Sequence, residues 1–214
     1  MGVIILQGAL SFYKATAEIA FNKSQGTKYP DKDVASAKPS LVLNIDKGEL
    51  KKFLEVAEHV VENAAALSQG EYGALTRDDA DDILAGLASQ TWQSKLYQLP
   101  VKDVTEFIQD NRPDAVASLS VKGFAGGKFN EYCLALSADA LVNQGAFKGK
   151  ASVPINESVH SLYEGCVVRV PVSVETYYSA KPGVLLRASK VYFLRDDEPF
   201  GGSISGDADE LLAD

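Results

Sequence analysis

The feature that most constrains the fold is an alternating stretch between Val167 and Glu175. Every second residue in it is a valine, at positions 168, 170, 172 and 174. Because successive side chains of a β-strand point to opposite faces, these valines form one apolar face and leave Arg169, Ser173 and Glu175 on the other. The stretch therefore predicts a β-strand that buries one face in a core and exposes Arg169.

Several other segments have strand composition, with β-branched and aromatic residues. Besides the alternating strand, we predict strands within 9–22, 40–46, 115–124, 129–137 and 184–194. A Gly-rich hairpin is predicted at Gly126-Gly127, and a second turn around 180–183. The polar connection 23–39 is long for a compact domain, which is typical of a functional or disordered segment.

The region between the early and the later strands has helical periodicity. Lys47–Ser68 repeats its apolar residues at three- and four-residue spacing, which gives one apolar stripe. Thr76 is the expected N-cap of a second helix, with aspartates from Asp78 to Asp82 in its first turns. A short third helix is predicted over Val101–Asp110. The fold class is therefore mainly β with a helical insertion at about 47–110, an α+β architecture.

The net charge of −8 over 214 residues is unevenly distributed. Residues 196–214 hold seven acids and no Lys or Arg, whereas residues 1–195 are near neutral, with 21 basic and 22 acidic residues. Glycine and serine make the last segment flexible, and it has little apolar surface to bury. We predict a folded body over 1–195 and a flexible acidic tail over 196–214. Such a tail can serve solubility alone, but Leu211 and Leu212 favour partner docking or masking of a basic surface.

Composition excludes several classes of protein. Hydrophobic residues make up 46% of the chain and charged residues 23%, which is enough apolar material for a core and excludes disorder throughout. No apolar run approaches the roughly 18–20 residues of a membrane span, and the first residues lack the basic region of a secretory signal. Cys133 and Cys166 are too few for a disulfide framework and indicate a reducing compartment. We expect a soluble intracellular protein with no membrane partner.

Residue types that carry catalysis or bind metals do not form recognisable motifs. His160 lies beside serines, but no G-x-S-x-G motif is present, and the two Cys and two His lack zinc-site spacing. Gly123–Lys128 lacks the first Gly and the final Ser or Thr of a phosphate-binding loop. The aspartates Asp78–Asp82 could hold a divalent metal in an enzyme, but the helix dipole explains carboxylates at a helix N-terminus. We predict no enzyme activity, no metal site and no cofactor.

The chain does contain aromatic residues interleaved with basic ones on strands and loops. Proteins hold single-stranded nucleic acid with this combination, because bases stack on aromatic faces at about 1–3 kcal/mol each while Lys and Arg contact phosphates. The candidate DNA-binding residues are Lys23, Lys28, Tyr29, Lys32, Lys122, Phe124, Lys128, Phe129, Arg169, Tyr177, Tyr178, Lys181, Arg187 and Lys190. Each of them alone also fits an ordinary strand, since aromatic residues pack well in sheets and exposed lysines guard strand edges.

The segment Leu162–Gly202 resembles the closing strands of single-stranded-DNA-binding proteins from tailed bacteriophages. The matching features begin with Leu-Tyr-x-Gly-Cys, followed by the alternating strand, an aromatic pair and a Gly-containing hairpin. A strand with small and basic residues, the sequence Arg-Asp-x-Glu-Pro-x-Gly-Gly and an acidic end complete the order. The ordered combination carries the resemblance, and no single piece of it does.

The resemblance implies an oligonucleotide-binding (OB) fold, a five-stranded Greek-key barrel whose open face holds nucleic acid. It implies sequence-independent binding of single-stranded DNA during phage replication, recombination and repair, in the cytoplasm of an infected bacterial host. It also implies a tail that docks replication proteins, such as a polymerase or a helicase-primase, and competes with DNA for the basic cleft. The partner-binding residues of that tail are Asp207, Asp209, Glu210, Leu211, Leu212 and Asp214.

Two points stay open at the level of sequence. The chain is compatible with a monomer or a homodimer. The alternative function is that of a non-enzymatic structural or adaptor protein, such as a virion component on a β-barrel, whose aromatic and basic face contacts another protein. Binding of an oligonucleotide above background distinguishes the two functions.

Overall fold

The computed structural model describes residues 2–14, 38–67, 75–124, 129–133, 153–154, 162–178, 180–195 and 197–198. Within them the chain forms nine strands and three helices. In chain order these are β1 (Gly2–Lys14), β2 (Ser40–Ile45), α1 (Lys47–Leu67), α2 (Arg77–Ala88), β3 (Val101–Asp103), α3 (Glu106–Asn111), β4 (Ala117–Lys122), β5 (Asn130–Cys133), β6 (Val153–Pro154), β7 (Val167–Tyr177), β8 (Gly183–Arg187) and β9 (Lys190–Arg195). The predicted class, mainly β with helices inserted between an early strand and the later ones, is confirmed.

Five of the strands close into a barrel in the order β1-β2-β4-β8-β7, and β7 pairs back to β1. Closure depends on the long β1, which pairs with β7 through residues 2–9 and with β2 through residues 9–14. A bulge between Leu10 and Phe12 accompanies the change of partner, since bulges bend a strand. Neighbours in the barrel are antiparallel except for β4 and β8. This is the five-stranded barrel of an OB fold.

The core lies inside the barrel and beneath α1. The valines of β7 at 168, 170, 172 and 174 are buried, which confirms the apolar face that the alternation predicts. α1 packs against β1, β7 and β2, and Phe53 at the centre of its apolar stripe is fully buried. The approach is close: a Cβ added to Gly2 would lie 2.5 Å from Val56 Cγ1. α1 thus covers the part of the barrel formed by β1 and β7.

In the insertion between β2 and β4, the structure agrees with the sequence prediction at α2 and differs from it at β3. Thr76 caps α2 as predicted: its side chain accepts from the Asp79 N–H, and the Asp79 carboxylate accepts from the Thr76 N–H. The third predicted helix is wrong at its start, because Val101–Asp103 is strand β3 and only Glu106–Asn111 is helical. Residues 101–103 pair with β4, so a tertiary ladder overrides the local helical pattern there.

The hairpin turn predicted at Gly126-Gly127 lies on residues outside the described part of the chain, whereas the strands before and after it are described. β4 runs parallel to β8, and β5 runs parallel to β9. Both β8 and β9 are antiparallel to β7. β4 and β5 therefore run in the same direction, whereas a hairpin reverses the chain. Glycines indicate a break in a strand but do not determine the direction that follows it.

Two other boundaries differ from the sequence prediction. The strand expected over 184–194 is divided into β8 and β9 by Ala188 and Ser189, and β9 pairs with β7 on one side and with β5 on the other. β1 begins at Gly2 rather than within 9–22, and residues 15–22 lie outside the described part. Among the helices of the described residues, none has the length and apolar character needed to cross a bilayer.

Candidate nucleic-acid interface

The outer face of β4 and β8 carries two neighbouring basic residues that we call the basic row: Lys122 and Arg187. The parallel register places Lys122 opposite Arg187. On its other side Lys122 is opposite Ser40, which is opposite Lys14 of β1. The register therefore places these four positions, on four neighbouring strands, at one level of the barrel. Lys122 is exposed and Arg187 is partly exposed, as expected for outward positions on strands whose alternate residues are buried.

Arg187 is held between an acid and an aromatic ring. Its Nε donates to Glu175 Oε2 at 3.2 Å, and Glu175 Oε1 accepts from Ser173 Oγ at 2.7 Å. Its Cζ lies 5.3 Å from the centre of the Phe124 ring, within the range of a cation–π contact. Because Glu175 neutralises part of its charge, Arg187 acts here mainly by holding Phe124. That ring is 53% exposed, so one aromatic face beside the basic row is open to solvent.

A second aromatic and basic pair lies at the other end of β8, in the connection from β7. Tyr178 is 50% exposed, and Lys181 is exposed with its Nζ donating to the Ser94 carbonyl at 3.3 Å. Four residues separate the two ends of β8, which is about 13 Å at 3.3 Å per residue. Phe124 and Tyr178 therefore lie near opposite ends of β8, at a spacing that an extended nucleic-acid strand can bridge.

Tyr177 connects this end of the barrel to the helical insertion. Its hydroxyl donates to Gln98 Oε1 at 3.0 Å, and burial raises the pKa of that hydroxyl. The backbone is joined as well, since the Gln98 N–H donates to the Pro182 carbonyl and the Val184 N–H donates to the Gln98 carbonyl. Gly183 makes this approach possible, because a Cβ there would lie 2.1 Å from the Gln98 oxygen. The residues around Gln98 are thus fixed against the start of β8.

A groove of about 360 Å³ lies beside Lys122 and Tyr177. The residues that matter on its walls are Gln98, Lys102, Ser120, Lys122, Tyr177 and Leu185. Sequence reasoning missed four of these. Lys102 was hidden by the helix predicted over 101–110. Gln98, Ser120 and Leu185 have no signal of their own, since only the pairing of β3 and β8 with β4 brings them together.

Other predicted DNA-binding residues lie elsewhere. Phe129 is 3% exposed, and the prediction that it stacks on a base is wrong because its ring belongs to the core. Arg169 is partly buried, and its Nε donates to Gln7 Oε1 at 2.9 Å. It lies on β7 four residues before Ser173, which is the register partner of Arg187 in the basic row. Lys190 is exposed at the start of β9. Ala188 and Ser189 separate it from Arg187 at the end of β8.

Several predicted residues lie outside the part of the chain that the structure describes. They are Lys23, Lys28, Tyr29, Lys32, Lys128, and the tail residues Asp207, Asp209, Glu210, Leu211, Leu212 and Asp214. The connection that contains the first four leaves β1 at Lys14 and enters β2 near Ser40. Those two residues are register partners next to Lys122, so this connection begins and ends beside the basic row.

The first residues of the predicted tail are attached to the barrel. Asp197 Oδ2 accepts from Arg112 Nη1 at 2.6 Å and from Arg195 Nη1 at 3.2 Å. Its backbone N–H and carbonyl both hydrogen-bond to the Tyr163 hydroxyl. Burial acts to raise the pKa of Asp197, but the Glu198 N–H and the two arginines outweigh it, so that the pKa is lowered. We call Arg112, Tyr163, Arg195 and Asp197 the tail anchor.

The described residues contain no group of three or more His, Cys, Asp or Glu side chains placed to hold a metal ion. Asp78 and Asp79, which sequence reasoning weighed as part of a metal cluster, lie in the first turn of α2, with Asp79 engaged in the capping box. The described residues of the site supply cations, aromatic rings, amide and hydroxyl groups, and one carboxylate, Glu175, which is paired with Arg187. Cations beside aromatic rings suit an anionic ligand with planar rings.

Comparison with solved structures shows the fold. A C-terminally truncated single-stranded DNA-binding protein from bacteriophage Enc34 is similar with a TM-score of 0.51 and 15% identity, over 93% of this chain and 89% of that one. The same phage protein in complex with ssDNA gives 0.48 and 13%, over 92% and 89%. The single-stranded DNA binding protein gp2.5 of bacteriophage T7 gives 0.49 and 15%, over 98% and 94%. No family model and no curated protein matches the chain.

Proposed function

We propose that this protein binds single-stranded DNA without reading its sequence. The observation that carries the proposal is the outer face of β4 and β8, which combines the basic row with a groove lined by Lys122 and Tyr177, near the exposed rings of Phe124 and Tyr178. An OB barrel is a fold that holds oligonucleotides on the face of its second and third strands, here β2 and β4, and β4 carries Lys122. The similar Enc34 barrel belongs to a single-stranded DNA-binding protein, which supports the same ligand class here.

Binding follows from two kinds of contact. Lys122 and Lys181 contact phosphates, while bases stack on the exposed faces of Phe124 and Tyr178 at about 1–3 kcal/mol each. Duplex DNA is disfavoured because its bases are already stacked on one another and cannot reach the rings. Phosphate contacts release counterions, so the affinity falls as salt is raised.

We extend the proposal to the tail and its partners. The anchor holds Asp197 on the barrel, and a flexible chain of the length of 199–214 then has a mean reach of roughly 20–24 Å. A tethered polyanion acts at a high local concentration, so it competes with DNA for the basic row. When DNA displaces the tail, the acidic residues of the tail and the Leu211-Leu212 pair become available to replication proteins such as a polymerase or helicase-primase.

The biological setting belongs to the same proposal. The chain coats exposed strands during replication, recombination and repair of phage DNA, in the cytoplasm of the infected bacterium. Residues 1–195 form the DNA-binding domain and 196–214 the tail. The protein acts as a monomer or homodimer and as a binding protein rather than an enzyme.

The test is fluorescence anisotropy of a labelled oligothymidylate of about 30 nucleotides, against duplex of equal length, at two salt concentrations. We expect the single strand to bind much better than the duplex and to weaken with salt. Absence of binding to either would overturn the proposal and favour the adaptor alternative.

The tail is tested in the same assay with two proteins. One ends at residue 198, which keeps Asp197 in its anchor, whereas a cut at 195 would remove it and perturb the barrel. The other is the full chain with Asp207, Asp209, Glu210 and Asp214 changed to their amides. Both are expected to bind DNA more tightly than the full chain at low salt. Unchanged affinity in both would refute masking while leaving DNA binding intact.

A further inference from the structure

We propose that the groove between β3 and β8 accepts one nucleotide of the bound strand, and that the Gln98 side chain favours bases with a carbonyl oxygen. The inference rests on the proposed function and adds to it a base-contacting residue supplied by the helical insertion. It differs from stacking on Phe124 and Tyr178, because an amide group distinguishes one base from another whereas an aromatic face does not.

The walls of the groove are fixed by the backbone. On one side the Ser120 N–H donates to the Pro100 carbonyl at 2.8 Å, which joins β4 to the start of β3. On the other side the Val184 N–H donates to the Gln98 carbonyl at 3.1 Å, and Gly183 allows that approach. The groove is therefore formed before a ligand binds, and little ordering is needed on binding.

The lining has the chemistry of a nucleotide site. Lys102 and Lys122 lie at its edge, and none of the described residues that line it is acidic. Leu99, Pro100 and Leu185 supply apolar surface for the plane of a base. A volume of about 360 Å³ is in the lower part of the range for small-ligand pockets, roughly 300–1,000 Å³. A nucleotide whose base lies on this apolar surface and whose phosphate lies near the two lysines fits the charge, the apolar lining and the volume of the groove.

Gln98 is positioned to act toward a ligand mainly as a donor. Its Oε1 accepts from the Tyr177 hydroxyl at 3.0 Å, and within the described part of the chain its Nε2 donates to no residue. The two Nε2 hydrogens then remain for a ligand. Thymine and guanine present carbonyl oxygens that accept from Nε2 alone, whereas the usual paired contact of a glutamine with adenine N6 and N7 also needs Oε1, which Tyr177 engages. The amide therefore favours thymine over adenine in the groove.

The experiment compares the affinities of oligothymidylate and oligoadenylate of equal length, with Gln98→Leu as the test variant. Stacking within oligoadenylate itself weakens its binding, but that effect is the same for every protein variant and cancels in the comparison. We expect Gln98→Leu to lower the thymidylate-to-adenylate affinity ratio about fivefold, the size of one hydrogen bond, mainly by weakening thymidylate binding.

Two further variants distinguish base recognition by Gln98 from a structural effect of the substitution. Tyr177→Phe keeps the ring but releases Gln98 Oε1, so the ratio is expected to fall part of the way. Gln109→Leu makes the same chemical change on exposed α3, away from the groove, and is expected to leave the ratio unchanged. Circular dichroism and thermal unfolding of each variant show that it is folded.

The outcomes distinguish the two proposals. A selective fall of the ratio in Gln98→Leu supports the groove. An unchanged ratio, or an equal loss for both oligonucleotides, would overturn the inference while single-stranded DNA binding stands. Failure of the unmodified protein to bind either oligonucleotide would instead overturn the proposed function itself.

Discussion

The substitution Asp197→Asn tests the tail anchor, which joins the end of the barrel to α3 and to the predicted tail. The Asp197 side chain is 21% exposed and that of Arg112 is 14% exposed, so their 2.6 Å ion pair is largely shielded from water. A hydrogen bond to a charged group contributes about 1.5–3 kcal/mol. The Arg195 pair contributes little beyond this, because the Arg195 side chain is 63% exposed. We expect Asp197→Asn to lower the free energy of unfolding by about 2 kcal/mol.

The assay is urea unfolding at neutral pH, with thermal unfolding as a second measure. For a chain of this size, about 2 kcal/mol corresponds to a fall in Tm of roughly 4–8 °C. Asp81→Asn is the matched control: Asp81 pairs with Arg77 at 3.2 Å, but both side chains are more than half exposed, so an effect below about 0.5 kcal/mol is expected.

The pH dependence of the same variant provides a sharper check. The folded-state pKa of Asp197 is lowered, so its contribution is complete above the ordinary aspartate pKa of about 3.9 and is lost as the pH falls below that value toward the folded-state pKa. The difference between the unmodified protein and Asp197→Asn should therefore shrink in that window. Equal stability of the two at neutral pH, or a difference that persists at the lowest pH, would refute this account of the anchor.

Three other substitutions test the candidate interface. Phe124→Ala should weaken oligothymidylate binding about tenfold in anisotropy, within the stacking range, yet leave Tm unchanged because the ring is half exposed; unchanged affinity would exclude Phe124 from the site. Lys122→Ala should reduce the slope of log affinity against log salt by about 1, whereas Lys51→Ala, at an exposed position of α1, should leave the slope unchanged. Gly183→Ala should cost about 1–3 kcal/mol in urea unfolding, because its Cβ would displace Gln98; a stable variant with normal affinity would contradict the close approach.

The sequence predicts best those elements whose pattern is local. The valine alternation of β7 specifies a strand and its buried face, since a period of two has no other compact solution. Thr76 and Asp79 specify the start of α2, because the capping box is complete within four residues. Both predictions are confirmed in the structure.

The sequence predicts less well where partners distant in the chain decide the outcome. Residues 101–103 form a strand only because β4 offers an edge. The direction of β5 is set by β9, about 60 residues later in the chain. Phe129 was predicted to stack because phenylalanine fits both an exposed platform and a core, and only packing distinguishes them. Gln98 and Lys102 line the groove for the same reason: their positions depend on contacts with strands that are distant in the sequence, which no local pattern indicates.

The most direct test of the central claim is to locate the bound strand. An oligothymidylate carrying 5-iododeoxyuridine is cross-linked to the full chain by ultraviolet light, and the modified peptides are identified by mass spectrometry. We expect adducts on Phe124 and Tyr178, at the two ends of β8, and their loss when unlabelled oligothymidylate competes. Adducts concentrated on α1, or on β9 around Arg195, with neither aromatic residue modified, would place the strand elsewhere and contradict the proposed interface.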